Sequence, residues 1–133
     1  TVQFEKNYDT KLPNISLVTQ DLSRVILNIA NNAIYASFKK KQQVGEDFVP
    51  KVIITTKLDG KFAKISIRDN GTGISEENMS KIFNPFFTTK PTGEGTGLGL
   101  SLSYEIVKAH GGELKAMSKE GESATFVLEL PVD

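Results

Sequence analysis

The segment from Phe83 to Leu100, FNPFFTTKPTGEGTGLGL, limits what this chain can fold into more than any other. Glycines occupy every odd position from 93 to 99, and a helical pattern begins directly after them. Glycine has no Cβ, so backbone N–H groups can approach a ligand closely there. The helix N-terminus behind them adds unpaired N–H donors and the positive end of a dipole. The segment therefore predicts a phosphate-binding loop and a flexible lid over a nucleotide.

Composition excludes several classes of protein. The chain has 133 residues, which suits a single domain spanning 1–133. Sixteen basic and sixteen acidic residues give a net charge of zero, so nothing predicts a nucleic-acid-binding surface. There is no cysteine, which excludes disulfides and thiolate chemistry and fits a reducing compartment. No stretch approaches the roughly 20 apolar residues of a membrane span, so we expect no membrane contact by this domain and a cytoplasmic location.

Hydrophobic periodicity predicts alternating strands and helices. Helices are expected from Asp21 or Ser23, as the cap, to about residue 41, in a short segment after Ser75, and over 98–110. Residues 42–50 are expected to form a loop. Strands are expected over 2–8, 15–19, 51–58, 62–68, 113–119 and 124–130. This order predicts an α+β fold: a two-layer α/β sandwich with a mixed, mainly antiparallel sheet and about three helices on one face.

Two asparagines on the long helix form the first candidate site. Asn28 and Asn32 are four residues apart and therefore share a face. Asparagine is a mediocre helix former, so a pair on an otherwise apolar face needs a reason. Their amide carbonyls could serve a hard cation such as Mg²⁺, or both could be satisfied by neighbouring backbone. Asn31 is expected to point elsewhere and to be structural or exposed.

The second candidate is Asp69, which opens the loop DNGTGI at the end of a predicted strand. A carboxylate there can accept a hydrogen bond from the adenine N6 amine, whereas a guanine carbonyl would be rejected. Gly71 and Gly73 would let the backbone close over a flat ring. An ordinary Asx turn is the alternative for this motif taken alone.

The third candidate is the glycine-rich segment itself. Phe83, Phe86 and Phe87 are expected to anchor its start to the sheet. Lys90 could contact a terminal phosphate as a mobile charge, or could be solvated. The N–H groups of residues 95–99 are the expected phosphate donors.

Taken together and in this order, these motifs resemble the N box (28–32), G1 box (69–73), F box (83–87) and G2 box (95–99) of a known family. The chain resembles the ATP-binding catalytic domain of a two-component sensor histidine kinase. This Bergerat-type superfamily also includes DNA gyrase, the ninety-kilodalton heat-shock chaperone and mismatch-repair ATPases. The lid and the following KAHGG segment look most like the nitrogen-regulation and oxygen-sensing kinases.

The resemblance implies roles for particular residues. Asn32, with Asn28, would hold Mg²⁺, and together with Lys90 they form the implied catalytic set. Asp69 would accept from adenine N6. The full set of implied ATP-binding residues is Asn28, Asn32, Tyr35, Asp69, Gly71, Gly73, Ile74, Phe87, Thr88, Lys90, Gly95, Thr96, Gly97, Leu98, Gly99 and Leu100.

The sequence departs from the family pattern at two places. Tyr35 stands where many relatives have a charged residue, and Ser123 and Ala124 replace a Gly and a Thr near the last strand. Asn28 replaces the Glu that hydrolysing relatives use as a general base, which predicts weak hydrolysis. The only histidine, His110, lies in KAHGG and not in an acceptor motif, so its expected role is structural.

The resemblance further implies γ-phosphoryl transfer to a histidine on a separate dimerisation domain, with a response regulator downstream. That acceptor sequence is absent, so we expect a fragment that is monomeric alone, from a dimeric parent that could carry a membrane anchor. Two alternatives stay open: a nucleotide-binding switch that has lost transfer activity, and a stand-alone ATPase or serine kinase of the same superfamily.

Overall fold

The computed structural model of the chain describes residues 3–9, 19–88 and 99–132. Eight elements follow one another in these residues. They are strand β1 (Gln3–Asn7), helix α1 (Thr19–Val44), strands β2 (Lys51–Asp59) and β3 (Phe62–Asp69), helices α2 (Glu76–Met79) and α3 (Gly99–Ala109), and strands β4 (Glu113–Lys119) and β5 (Ser123–Pro131).

The strands form one sheet in the order β1-β2-β3-β5-β4. β1 runs parallel to β2, and the other three pairs are antiparallel. Tight turns close both hairpins, with the left-handed glycines Gly60 (φ 62°) and Gly121 (φ 81°) supplying the backbone conformation that a side chain disfavours. The predicted mixed, mainly antiparallel sheet is confirmed.

The core lies between one face of the sheet and the helices. Alternate residues of each strand point to this face, as the two-residue strand period requires. One cluster of buried side chains joins the layers: Leu22, Val25, Ile29 and Ala33 from α1, Val107 from α3, and Val52, Ile67, Leu114, Phe126, Leu128 and Leu130 from the sheet. The predicted two-layer sandwich is thereby confirmed.

Helix α1 is longer than predicted at both ends. It begins at Thr19, so neither Asp21 nor Ser23 is its cap; Asp21 lies in the first turn, where a carboxylate favours the helix dipole. It continues to Val44, into the stretch 42–50 that was predicted as loop, and Gly45 (φ 114°) then breaks it. The predicted strand 15–19 is wrong at Thr19, and residues 15–18 lie outside the described residues.

The two later helices agree more closely with the sequence. Ser75 caps α2, because its Oγ accepts from the Asn78 N–H at 3.1 Å. Helix α3 spans Gly99–Ala109 and ends one residue before the prediction, while Leu98 lies outside the described residues. Gly111 (φ 78°) follows α3, and the Gly112 N–H donates to the Val107 carbonyl at 3.0 Å, which closes the helix end.

Candidate functional site

A cavity of about 610 Å³ lies between α1, the segment that follows β3, the start of α3 and the β4–β5 turn. Ten of the predicted nucleotide-binding residues line it: Asn28, Asn32, Tyr35, Asp69, Gly73, Ile74, Phe87, Thr88, Gly99 and Leu100. These residues come from four segments of the chain. The fold therefore brings the N box, the G1 box, the end of the F box and the start of α3 to one place.

One stripe of α1 forms a wall of the cavity. Asn28, Asn32, Tyr35 and Lys39 all line it, at the three- and four-residue spacing of one helix face. The prediction that Asn31 points elsewhere is wrong: it is exposed, yet it also lines the cavity. Asn31 and Ala36 widen this wall beyond the stripe.

Asn28 is joined to the first turn of α3. Its Nδ2 lies 3.3 Å from the Gly99 carbonyl oxygen and 3.4 Å from Ser103 Oγ. The Ser103 hydroxyl itself donates to the Gly99 carbonyl at 2.8 Å. The amide therefore contacts the helix that begins at the end of the glycine-rich segment.

Asp69 ends β3 with its carboxyl group almost fully buried, at 3 % exposure. Its Oδ1 accepts from the Gly71 N–H at 2.8 Å. Burial raises the pKa of Asp69 from its ordinary value of 3.8 to about 6, against the opposing effects of the Gly71 hydrogen bond and of Arg68 and Lys40. The group is still mostly ionised at neutral pH and can accept a hydrogen bond from a ligand.

The two glycines after Asp69 lie against other elements. A Cβ at Gly71 would stand 2.5 Å from the backbone carbon of Ala36 on α1, so Gly71 lies behind the cavity wall and not among the lining residues. Gly73 has φ 69°, and a Cβ there would stand 2.6 Å from the Lys119 carbonyl oxygen. Both close contacts require glycine.

The β4–β5 turn holds the G1 loop, and sequence reasoning missed this contact. The Gly121 N–H donates to the Thr72 carbonyl at 2.7 Å, and Lys40 Nζ donates to the Gly121 carbonyl at 2.6 Å. Ser118 Oγ accepts from the Ile74 N–H at 2.6 Å. No local pattern predicts these contacts, because each one joins segments that are distant in sequence.

The aromatic residues before the glycine-rich segment divide into two kinds. The Phe83 ring packs on Tyr104, with centroids 5.2 Å apart, and edge-on against Phe126 at 6.4 Å. Phe87 is half-buried and lines the cavity. The prediction that Phe86 is an anchor is wrong, since it is 73 % exposed and has φ 66°. Two of the three phenylalanines thus fix this segment to the domain.

Several predicted residues lie outside the described residues. They are Lys90, Gly95, Thr96, Gly97 and Leu98, together with most of the predicted lid.

His110 lies just beyond the end of α3 and away from the cavity. Its Nδ1 is 2.8 Å from the Ile106 carbonyl oxygen, and its Nε2 is buried. Within the described part of the chain, no cluster of three His, Cys, Asp or Glu side chains could hold a metal ion. The same residues include no helix that is long and apolar enough to cross a membrane.

The fold and this site define a class of ATPase domain. The profile of the "Histidine kinase-, DNA gyrase B-, and HSP90-like ATPase" family matches residues 18–133, and the chain belongs to that family.

Within the family, the similar proteins are sensor kinases. The chain is 39% identical over 132 residues to sensor histidine kinase ZraS of Escherichia coli strain K12, covering 99% of this chain and 26% of ZraS. It is 40% identical over 133 residues to the histidine-protein kinase AtoS of the same strain, covering 99% of this chain and 20% of AtoS. The chain thus spans about a quarter or less of these relatives.

Solved structures agree with this assignment. The catalytic domain of histidine kinase ThkA, in a nucleotide-free form, superposes with a TM-score of 0.80 at 30% identity, covering 98% of this chain and 80% of that chain. Full-length ShkA in complex with AMPPNP gives a TM-score of 0.80 at 26% identity, covering 98% of this chain and 26% of that chain.

Proposed function

We propose that this chain is a single catalytic domain, residues 1–133, that binds Mg·ATP and transfers the γ-phosphoryl group to a histidine on a separate dimerisation domain. The observation that carries the proposal is the convergence of Asn28, Asn32 and Asp69 on one cavity at the start of α3. A volume of about 610 Å³ suits a nucleotide-sized ligand.

Asp69 would recognise the base. Its buried carboxylate is an acceptor at neutral pH, and the adenine N6 amine is a matching donor. A guanine carbonyl in the same position would set two acceptors against each other and leave both unpaired. Gly73 and Ile74, which also line the cavity, would lie along the ring.

Asn28 and Asn32 fit the shell of a magnesium ion. Mg²⁺ takes oxygen ligands and is commonly held by one or two protein groups together with substrate phosphates. No group of three His, Cys, Asp or Glu side chains among the described residues could hold a metal ion, so we expect the phosphates to supply much of the negative charge around it. An ion held by Asn28 and Asn32 would neutralise negative charge that develops on the phosphates during transfer.

The triphosphate would lie toward the N-terminus of α3. Gly99 and Leu100 line the cavity there, at the positive end of the helix dipole. We extend this proposal to the N–H groups of residues 95–98 and to the Lys90 side chain.

Position 28 offers no base for water. Asn28 cannot take a proton at neutral pH, so hydrolysis should be weak and the nucleophile should come from another domain. His110 does not suit the acceptor role, because its Nε2 is buried and the residue lies outside the cavity. We therefore assign the acceptor histidine to a dimerisation domain of a longer cytoplasmic or membrane-anchored kinase that passes the phosphoryl group to a response regulator.

Two measurements test this function. Calorimetric titration with ATP, ADP and GTP, each with and without Mg²⁺, should show binding that is selective for adenine and sensitive to metal. Radiolabelled ATP should then label the histidine of a supplied sensor-kinase dimerisation domain. Absence of adenine binding would contradict the nucleotide assignment, and labelling of His110 in the chain alone would contradict the assignment of an external acceptor.

A further inference from the structure

We infer that Ser103 is a positioning residue for the nucleotide-bound metal: it turns the Asn28 side-chain amide so that Oδ1, and not Nδ2, is offered to the ion. This inference rests on the proposed function. It concerns a serine on α3 that no motif in the sequence singles out.

The Ser103 hydroxyl points in a defined direction. Ser103 is completely buried, and its Oγ lies 2.8 Å from the Gly99 carbonyl oxygen one turn earlier in α3. A carbonyl oxygen can only accept, so the single hydroxyl proton is donated to it. The Ser103 oxygen is then left as an acceptor toward any other neighbour.

The side-chain amide of Asn28 faces two oxygens of α3. Its nitrogen end lies 3.3 Å from the Gly99 oxygen and 3.4 Å from Ser103 Oγ. Both of these atoms act as acceptors, so the amide end that faces them must be the NH₂ group. The opposite orientation would place an amide oxygen against two other oxygens. The hydrogen-bond network itself therefore decides which end of Asn28 is which.

The other end of the Asn28 amide is the carbonyl oxygen Oδ1. Oδ1 is the end of the amide turned away from these two acceptors, on a side chain that lines the cavity. A carbonyl oxygen cannot donate to a phosphate but is a suitable ligand for Mg²⁺. The Ser103 hydroxyl thus favours a metal role for Asn28 over a direct phosphate contact.

The test separates metal-dependent from metal-independent nucleotide affinity in the 133-residue chain. ATP is titrated calorimetrically into wild type, Ser103→Ala, Asn28→Ala and the double variant, once in Mg²⁺ and once in EDTA. Loss of a group that orients a metal ligand commonly costs 10–100-fold in metal affinity. We expect Ser103→Ala to reduce the gain in ATP affinity caused by Mg²⁺ by about tenfold and to leave the affinity in EDTA unchanged.

Ser37→Ala is the matched control. Ser37 is also completely buried in a helix, and its Oγ donates to the Ile34 carbonyl at 2.9 Å, so the variant removes a similar hydroxyl far from Asn28. Ser37→Ala should change the ATP affinity neither in Mg²⁺ nor in EDTA. Urea unfolding of each variant reports the loss of stability separately from the loss of binding.

The double variant decides between positioning and general packing. If Ser103 acts through Asn28, adding Ser103→Ala to Asn28→Ala should remove no further part of the Mg²⁺ effect. The inference would be overturned if Ser103→Ala lost ATP affinity equally in Mg²⁺ and in EDTA. It would also be overturned if the double variant lost more of the Mg²⁺ effect than Asn28→Ala does. If Asn28→Ala loses the gain in ATP affinity caused by Mg²⁺ while Ser103→Ala keeps it, only this inference is overturned. A full Mg²⁺ effect in Asn28→Ala would overturn the proposed metal role as well.

Discussion

Ala124 lies directly opposite Asp69 in the ladder that joins β3 to β5. On the other side, Asp69 pairs with Val52 in the ladder that joins β3 to β2. Both neighbours are buried and apolar, so the carboxyl group has no polar side chain beside it in the sheet. Burial is accordingly the largest influence on the pKa of Asp69 and raises it.

Replacement of Asp69 by Asn should abolish most adenine recognition. The Gly71 N–H still needs an acceptor, so the new amide would turn its NH₂ group toward the adenine N6 amine. A hydrogen bond to a charged group contributes about 1.5–3 kcal/mol, so ATP affinity should fall roughly 10- to 150-fold. Calorimetry measures the change. Asp59→Asn, at a surface salt bridge with Lys64, is the control and should bind as wild type does.

The raised pKa of Asp69 should make stability depend on pH between about 4 and 6. In this range the folded state binds the proton more tightly than the unfolded state, so the free energy of unfolding falls as pH rises through it. A shift from 3.8 to about 6 corresponds to about 3 kcal/mol. Urea unfolding from pH 4 to pH 7 measures this slope. Asp69→Asn should flatten it, and an unchanged slope in that variant would assign the effect to other groups.

Gly73→Ala should destabilise the domain more than Gly60→Ala. Both glycines have similar positive φ values, 69° and 62°, so both variants carry the same backbone strain. Only at Gly73 does the new Cβ meet the Lys119 carbonyl, at 2.6 Å, whereas nothing lies within 4 Å at Gly60. We expect about 1–3 kcal/mol of additional loss and weaker ATP binding for Gly73→Ala. Equal unfolding midpoints for the two variants would show that the β4–β5 turn moves to accommodate the new methyl group with no loss of stability.

Removal of the Ser118 hydroxyl should loosen the cavity wall. Ser118 Oγ accepts from the Ile74 N–H at 2.6 Å and lies 3.0 Å from the Ser123 carbonyl. Ser118→Ala should lower the free energy of unfolding by about 1–2 kcal/mol, because the Ile74 N–H loses its partner. It should also speed hydrogen exchange at Ile74. Ser66→Ala, on a strand and similarly half-buried, provides the comparison. Unaltered exchange at Ile74 would mean that solvent replaces the bond.

The parts of the site that sequence could predict depend on local signals. Asn28 and Asn32 follow from helical spacing, and Asp69 follows from a strand that ends before a glycine-rich turn. Tyr35 was named only through the family resemblance. Each of these signals lies within a few residues. The family resemblance joined them into one expected nucleotide site, and in the structure Asn28, Asn32 and Asp69 all line one cavity.

The parts that sequence could not predict depend on distant contacts. Lys40 contacts Gly121 across 81 positions, and Ser118 contacts Ile74 across 44. A single lysine or serine has no spacing that reveals such a partner. The prediction for Phe86 was wrong for a different reason. Its hydrophobicity suggested burial, but the residue has a left-handed backbone conformation and its side chain is exposed.

The cavity is lined by residues from Asn28 to Phe126, so it forms only when almost the whole described chain is folded. A nucleotide that occupies it can bind only the folded state, and mass action then couples occupancy to unfolding. At a ligand concentration of about 100 times Kd, this coupling adds roughly 2.7 kcal/mol to the free energy of unfolding. The melting temperature should therefore rise with ATP concentration. In the cell, bound nucleotide would reduce the unfolded fraction of the domain and so protect it from proteolysis.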